Sequence, residues 1–172
     1  MNLKTVCLMT GVLLLQGQAF AAPRACPTEQ ATPQSMTWNF PKEGSRLLKD
    51  INREAWDVRT EAAKLEVQAR NQLIDWQTHA SELTEVRDDI NHMGEKLCRL
   101  ETIRGQLAPE QQTVVDETAR MAKEMATFTQ DAIVFLNGHH DNLWNPSYRT
   151  YLNDLYKEAK SVNQTVSRSR ES

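Results

Sequence analysis

Apolar residues recur every three or four positions from about residue 48 to residue 100, which would make one very long helix or two that fold back on each other. This spacing is typical of a helix that packs one face against neighbouring helices, as in coiled coils. Polar residues interrupt the pattern at Gln72 and His79. The positions that carry it are Leu48, Ile51, Ala55, Val58, Ala62, Leu65, Ala69, Trp76, Leu83, Val86, Ile90, Met93, Leu97 and Leu100.

Residues 1–21 have the organisation of a secretory signal peptide. Lys4 supplies the positive charge, residues 5–15 are largely apolar, and the segment ends in a small-x-small cleavage site. We therefore expect cleavage after Ala21 or Ala22 and export to the periplasm or out of the cell. The alternative is an uncleaved anchor. No later stretch is apolar for long enough to predict a transmembrane helix.

Two cysteines, Cys26 and Cys98, remain once Cys7 is removed with the signal peptide. In an oxidising compartment, two cysteines most economically form one disulfide. A structural zinc site would need four ligands, and neither cysteine has a neighbouring cysteine or histidine at CxxC or CxxH spacing. The sequence therefore predicts a disulfide between these two residues.

The same pair of cysteines decides whether the long pattern is one helix or two. A straight helix would hold Cys98 about 80 Å from residue 44, whereas the chain leading there from the other cysteine spans at most about 60 Å. Only a chain that turns back can close the disulfide. We therefore expect a break within residues 70–75, where Asn71 disfavours a helix and Asp75 suits an N-cap.

The segment before the first helix is rich in proline, which fixes φ and lacks an amide donor. We expect it to be irregular, with Trp38 and Phe40 holding it on the helical body, and the first helix to begin near Ser45 as N-cap. Further along the chain, Pro109 and Pro146 suit the first turns of two more helices.

These observations predict an all-α fold: an antiparallel, up-down-up-down four-helix bundle with one disulfide that ties down the proline-rich segment. The expected parts are a signal peptide over 1–21, an irregular segment over 22–43, a bundle domain over 44–168 with helices at about 44–70, 75–104, 109–138 and 146–168, and a frayed tail over 169–172.

The charge balance bears on the class of partner. The chain carries 20 Lys and Arg against 23 Asp and Glu, a formal net charge of -3, and loss of Lys4 with the signal peptide makes it -4. This mild acidity is spread along the sequence and argues against a nucleic-acid partner, which requires a basic face. Apolar helix seams leave a homodimer open, and the sequence identifies no particular protein partner.

His139, His140 and Asp141 form the most conspicuous polar cluster. Imidazole and carboxylate groups bind Zn, Cu or Ni, and His79 would add a ligand if the connection between the first two helices lies nearby. The alternative is a solvated loop, because side chains of adjacent residues point in different directions. A metal site at His139, His140 and Asp141 is therefore a hypothesis, and we expect no cofactor.

Aromatic residues gather around the last loop and the last helix, at Trp144, Tyr148, Tyr151 and Tyr156. One interpretation is an exposed strip that recognises a partner. The other is that Trp144 and Tyr148 close the end of the bundle. Tyr151 and Tyr156 are five residues apart and lie on different faces of a helix, so we expect at least one to be exposed.

Motifs that carry catalysis are missing from the sequence. It contains no GxSxG, no HExxH, no Glu-x-x-His pair of a di-iron bundle and no phosphate-binding glycine loop. We therefore expect a protein that is not an enzyme.

The segment Leu107-Ala108-Pro109-Glu110-Gln111 resembles the LTxxQ signature of small periplasmic helical chaperones and metal-stress regulators. In that family the motif lies at helix starts, where its threonine caps the helix. Ala108 stands here in place of the threonine, and the chain has one copy of the motif rather than a pair. The resemblance implies a periplasmic chaperone with a concave apolar face.

Together these features predict an exported, non-catalytic helical bundle that acts as an interaction or envelope-associated protein. Two alternatives stay open. One is a periplasmic metal-binding or metal-stress protein that uses the histidine loop, and the other is a chaperone of the LTxxQ kind.

Overall fold

The computed structural model describes residues 39–71 and 75–169. Within them the chain forms four α-helices and one short 3₁₀ helix, Arg104–Gln106. The predicted all-α, four-helix fold is therefore confirmed. The α-helices are α1 (Phe40–Arg70), α2 (Trp76–Thr102), α3 (Pro109–Gly138) and α4 (Pro146–Arg168).

Bonds between the helices show that neighbours along the chain run in opposite directions. Glu43, near the start of α1, accepts a hydrogen bond from Arg99 near the end of α2, at 2.8 Å. At the other end of the bundle, Gln68 of α1 donates to Glu82 of α2 at 3.2 Å. α4 runs antiparallel to α1 in the same way and lies beside it, so the four helices enclose one core.

The core follows the apolar pattern of the sequence. Every apolar position named above for α1 and α2 is buried except Trp76, which is half-buried and packs against the core. In α3 and α4 the fully buried residues include Met125, Leu152 and Leu155. Since all four helices contribute to one cluster, burial of these side chains is the main favourable contribution to folding.

The connection between α1 and α2 lies where the sequence predicts a break. Asn71 ends α1, and Asp75 begins α2 as its N-cap. The side chain of Asp75 accepts hydrogen bonds from the amide and the hydroxyl of Thr78, at 2.8 and 2.9 Å. These bonds also lower the pKa of Asp75.

The start of α1 differs from the expectation. The N-cap is Asn39, whose side chain accepts a hydrogen bond from the amide of Lys42 at 2.9 Å, so the predicted N-cap at Ser45 is wrong by six positions. Pro41 lies in the first turn, where a missing amide donor costs nothing. Ser45 is inside the helix and donates its hydroxyl to the carbonyl of Pro41.

Several predictions fall outside the described residues. The signal peptide, most of the proline-rich segment with Trp38, and Cys26 all precede residue 39, and Gln72 lies in the gap before α2. Cys98 lies in α2, and its pairing with Cys26 stays a prediction. Of the predicted tail, only Ser169 is described, as the C-cap of α4.

None of the described helices combines the length and the apolar character that a membrane crossing would need.

Candidate interaction face between α1 and α4

α1 has an exposed apolar stripe in addition to its buried one. Within the described part of the chain, the exposed large apolar side chains are Trp56 (52%) and Val67 (55%) on α1, Val134 (59%) on α3, and Trp144 (46%) in the α3–α4 loop. Trp56, Ala63 and Val67 are separated by seven and four residues, so they share one side of the helix. This side is not the one that packs into the core.

Beside this stripe, α1 and α4 leave an open groove with a volume of about 510 Å³. The groove runs between the two helices where α1 ends and α4 begins, and its walls combine small, apolar and charged side chains. Its lining residues are Ala62, Ala63, Glu66, Val67 and Arg70 from α1, and Pro146, Arg149, Thr150, Asn153 and Tyr156 from α4.

The local sequence explains why a groove forms here. Ala63 is exposed and has a small side chain, so it leaves space between α1 and α4, whereas the neighbouring Ala62 is buried in the core. The helices are joined on either side of this point: Arg149 donates to Glu66 at 3.0 Å, and Asn163 donates to the backbone carbonyl of Asn52 at 2.7 Å. These two contacts fix the position of α4 against α1 on both sides of Ala63.

One carboxylate in the groove serves two guanidinium groups. Oε1 of Glu66 lies 2.7 Å from Nη2 of Arg70 and 3.0 Å from Nη2 of Arg149. Burial alone would raise the pKa of Glu66, but the hydrogen bonds from both arginines outweigh it and hold the pKa below its ordinary value. With two cations for one anion, this end of the groove is positive.

Further cations extend the positive character along the same two helices. Lys49, Arg59 and Lys160 form no ion pair with any described residue. We define the α1/α4 face by the residues that recur at three- or four-residue spacing along the groove side of both helices. They are Lys49, Trp56, Arg59, Ala63, Glu66, Val67 and Arg70 of α1, and Arg149, Asn153, Tyr156 and Lys160 of α4.

The opposite side of the bundle has the opposite charge balance. α1 and α4 together carry eleven Lys and Arg against eight Asp and Glu. α2 and α3 carry five against eleven. The mild acidity of the whole chain is thus the difference between a basic side and a more strongly acidic one.

The structure separates the four aromatic residues that the sequence brings together as a partner-binding strip. Tyr156 lines the groove. Tyr151 and Tyr156 are both half-buried against the core, so the expectation that at least one of them is exposed is wrong, whereas Trp144 is exposed in the loop. Tyr148 is fully buried, so its assignment to an exposed strip is wrong and its assignment as an anchor at the end of the bundle is the better description.

Tyr148 is buried together with His79. The Tyr148 hydroxyl and Nδ1 of His79 share a hydrogen bond of 3.0 Å, and Nε2 of His79 is buried without a hydrogen-bond partner. Burial lowers the pKa of His79 and raises that of Tyr148, because it disfavours the charged form of each. This histidine is a core residue of α2 and does not extend the histidine loop.

The loop histidines turn toward different helices. The ring of His139 stacks on Phe135 of α3 with centroids 4.2 Å apart, and Nδ1 lies 3.0 Å from the Phe135 carbonyl oxygen. The ring of His140 stacks on Trp76 of α2, also at 4.2 Å. In residues 39–71 and 75–169, no three His, Cys, Asp or Glu side chains, Asp141 included, are grouped to hold a metal ion.

The LTxxQ-like segment has a packing role at the end of the bundle where α1 and α3 begin. The Gln111 side chain accepts a hydrogen bond from the Ala108 amide at 3.2 Å, and it donates to Ser45 at 2.9 Å and to the Pro41 carbonyl at 3.0 Å. Ala108 has no hydroxyl with which to cap the helix. The segment therefore joins the start of α3 to the start of α1.

No family model, curated protein or solved structure matches this chain.

Sequence reasoning missed most of the face. Trp56, Val67 and Arg149 lie outside the strongest apolar seam, so helical periodicity does not indicate them. The weaker stripe through Trp56, Ala63 and Val67 does have a signal in the sequence, since these residues recur at helical spacing. The groove has no comparable signal, because it depends on which helix lies beside α1.

Proposed function

We propose that this protein is an exported, non-catalytic interaction protein that binds a partner through the α1/α4 face. The observation that carries the proposal is the exposed stripe of Trp56, Ala63 and Val67 beside an open groove. The core already uses the other side of α1, so the fold does not require large apolar residues here. Exposed apolar side chains that cluster beside a concave surface mark interaction sites.

Export and the disulfide between Cys26 and Cys98 belong to the same proposal. Arg99, the neighbour of Cys98, bonds to Glu43 in the first turns of α1. Cys98 is thus at the end of the bundle where the described chain begins, which is the position that a disulfide with the preceding segment requires. Peptide mapping of the secreted protein without reductant tests the pairing.

The metal-binding alternative lacks a comparable observation, because His139 and His140 stack on different helices. Titration calorimetry with Zn²⁺, Cu²⁺ and Ni²⁺ tests it. Micromolar binding that is lost in His140→Ala would establish the alternative.

The chaperone alternative would use the same apolar stripe. The LTxxQ-like segment of this chain joins α3 to α1 through hydrogen bonds of Gln111. Suppression of the aggregation of an unfolded client at near-stoichiometric ratios would favour it over a dedicated partner.

Site-specific photocross-linking in the producing cell tests the main proposal. A benzophenone amino acid is placed at Val67 or, as a matched control, at Val134, which is an equally exposed valine on α3. We expect discrete cross-linked products from position 67 and none of the same mass from position 134. Identical products from both positions, or none from position 67, would refute a binding role for this face.

A further inference from the structure

On the basis of this proposed function, we propose that the occupant of the groove is an acidic amphipathic α-helix of another protein. This proposal follows from the spacing of the stripe, the charge of the face and the lack of a suitable helix on a second copy of the chain.

The spacing of the stripe is that of a helix seam. Trp56, Ala63 and Val67 are seven and four residues apart, which is the spacing of the seam positions by which two helices pack. The stripe spans about three helical turns, or roughly 16 Å. Ala63 at its centre allows close approach of a backbone, so a helix laid in the groove would contact both α1 and α4.

The charge of the face selects an acidic helix. Five cations line it, at positions 49, 59, 70, 149 and 160, and Glu66 is its only carboxylate. Glu66 is already shared by Arg70 and Arg149. Glutamates along the edges of an incoming helix would meet the cations, and its apolar edge would cover Trp56 and Val67.

A second copy of the chain fits the groove poorly. In a two-fold symmetric dimer through this face, the cations of one copy would lie opposite those of the other. The acidic α2 of a second copy exposes no large apolar side chain within its described residues, and α3 exposes only Val134. Neither helix presents an apolar edge to cover the stripe.

Two synthetic helices test the proposal with the mature protein. Both carry the same leucine seam, and one has glutamate and the other lysine at the remaining positions. Binding of each fluorescein-labelled peptide is followed by anisotropy at low and high salt. We expect the glutamate peptide to bind at least roughly tenfold more tightly than the lysine peptide, with an affinity that falls as salt rises.

Matched variants locate the binding site. Val67→Asp and Trp56→Ala should each weaken binding of the glutamate peptide, whereas Val134→Asp and Trp144→Ala should leave it unchanged. Lys49→Gln with Lys160→Gln removes two cations that form no ion pair, so it should weaken binding without loss of helical content by circular dichroism. Equal effects of the test and control variants would overturn the proposal.

Other anionic probes distinguish the alternatives. Tighter binding to vesicles of phosphatidylglycerol and phosphatidylcholine, or to a single-stranded DNA oligonucleotide, than to the glutamate peptide would overturn the proposal in favour of a lipid surface or a nucleic acid. Cross-links from position 67 without glutamate-peptide binding would refute the acidic helix alone. Peptide binding without specific cross-links would refute the proposed function.

Discussion

α1 and α2 are neighbouring helices of similar length that pack into the same core, yet their outer surfaces differ. α2 has one apolar side, and its described residues expose no large apolar side chain. α1 has two, since Trp56 and Val67 extend outward while Leu65 and its neighbours are buried. The comparison separates what the fold requires of a helix from what it leaves available for binding.

The largest expected effect is on stability, and it distinguishes the buried side of α1 from the exposed side. Leu65→Ala empties a fully buried position and should lower the free energy of unfolding by about 2–5 kcal/mol. Val67→Ala, two residues further on, should change it by less than about 0.5 kcal/mol, because the side chain is exposed. Urea denaturation measures both, and a large cost at Val67 would show that the outer stripe serves folding.

The second test concerns the buried histidine of α2. The pKa of His79 is lowered in the folded protein, so its contribution to stability is complete above pH 6.5, the ordinary pKa, and is lost as the pH falls through the lowered value. The groups that face it are Tyr148, which shares its hydrogen bond, and Glu82 and Asp75, which favour its charged form but do not outweigh burial.

Denaturation between pH 7 and pH 5 measures this effect. We expect the double variant His79→Phe with Tyr148→Phe to lose less stability on acidification than the wild type, since it removes the titrating group and its partner together. An unchanged dependence on pH would mean that other groups cause the acid sensitivity.

Two glycines give a third contrast between the helices. A Cβ at Gly94 of α2 would meet no atom within 4 Å, so Gly94→Ala should stabilise the protein by about 0.5–1 kcal/mol. A Cβ at Gly44 of α1 would lie 2.7 Å from Cδ2 of Leu107. Gly44→Ala should therefore not have this stabilising effect. In thermal denaturation, the Gly44→Ala variant should have a lower melting temperature than the Gly94→Ala variant.

The smallest effect concerns the charge of the groove. Glu66→Gln removes the carboxylate that Arg70 and Arg149 share, and since both arginines are partly exposed, stability should fall by at most about 1 kcal/mol. The same change makes the face more positive and should strengthen binding of the glutamate peptide, which anisotropy measures. Weaker binding would show that Glu66 itself contacts the partner.

Much of the fold could be predicted from the sequence, and much less of the candidate site. The seam residues, the cap at Asp75 and the starts at Pro109 and Pro146 are local signals that the structure retains. The predicted start of α1 is six residues too late because proline disfavours the interior of a helix. Proline is tolerated in a first turn, which is where Pro41 lies. Tyr156 was the one candidate partner-binding residue that lines the groove.

The sequence by itself determined the buried seam of α1 and α2 and most of the helix boundaries, because periodicity and capping depend on residues only a few positions apart. The tertiary structure decided which outer surfaces lie side by side. Arg70 and Arg149 are far apart in the chain and share Glu66 only because α4 returns along α1. For the same reason, a chain that is mildly acidic overall has one basic face.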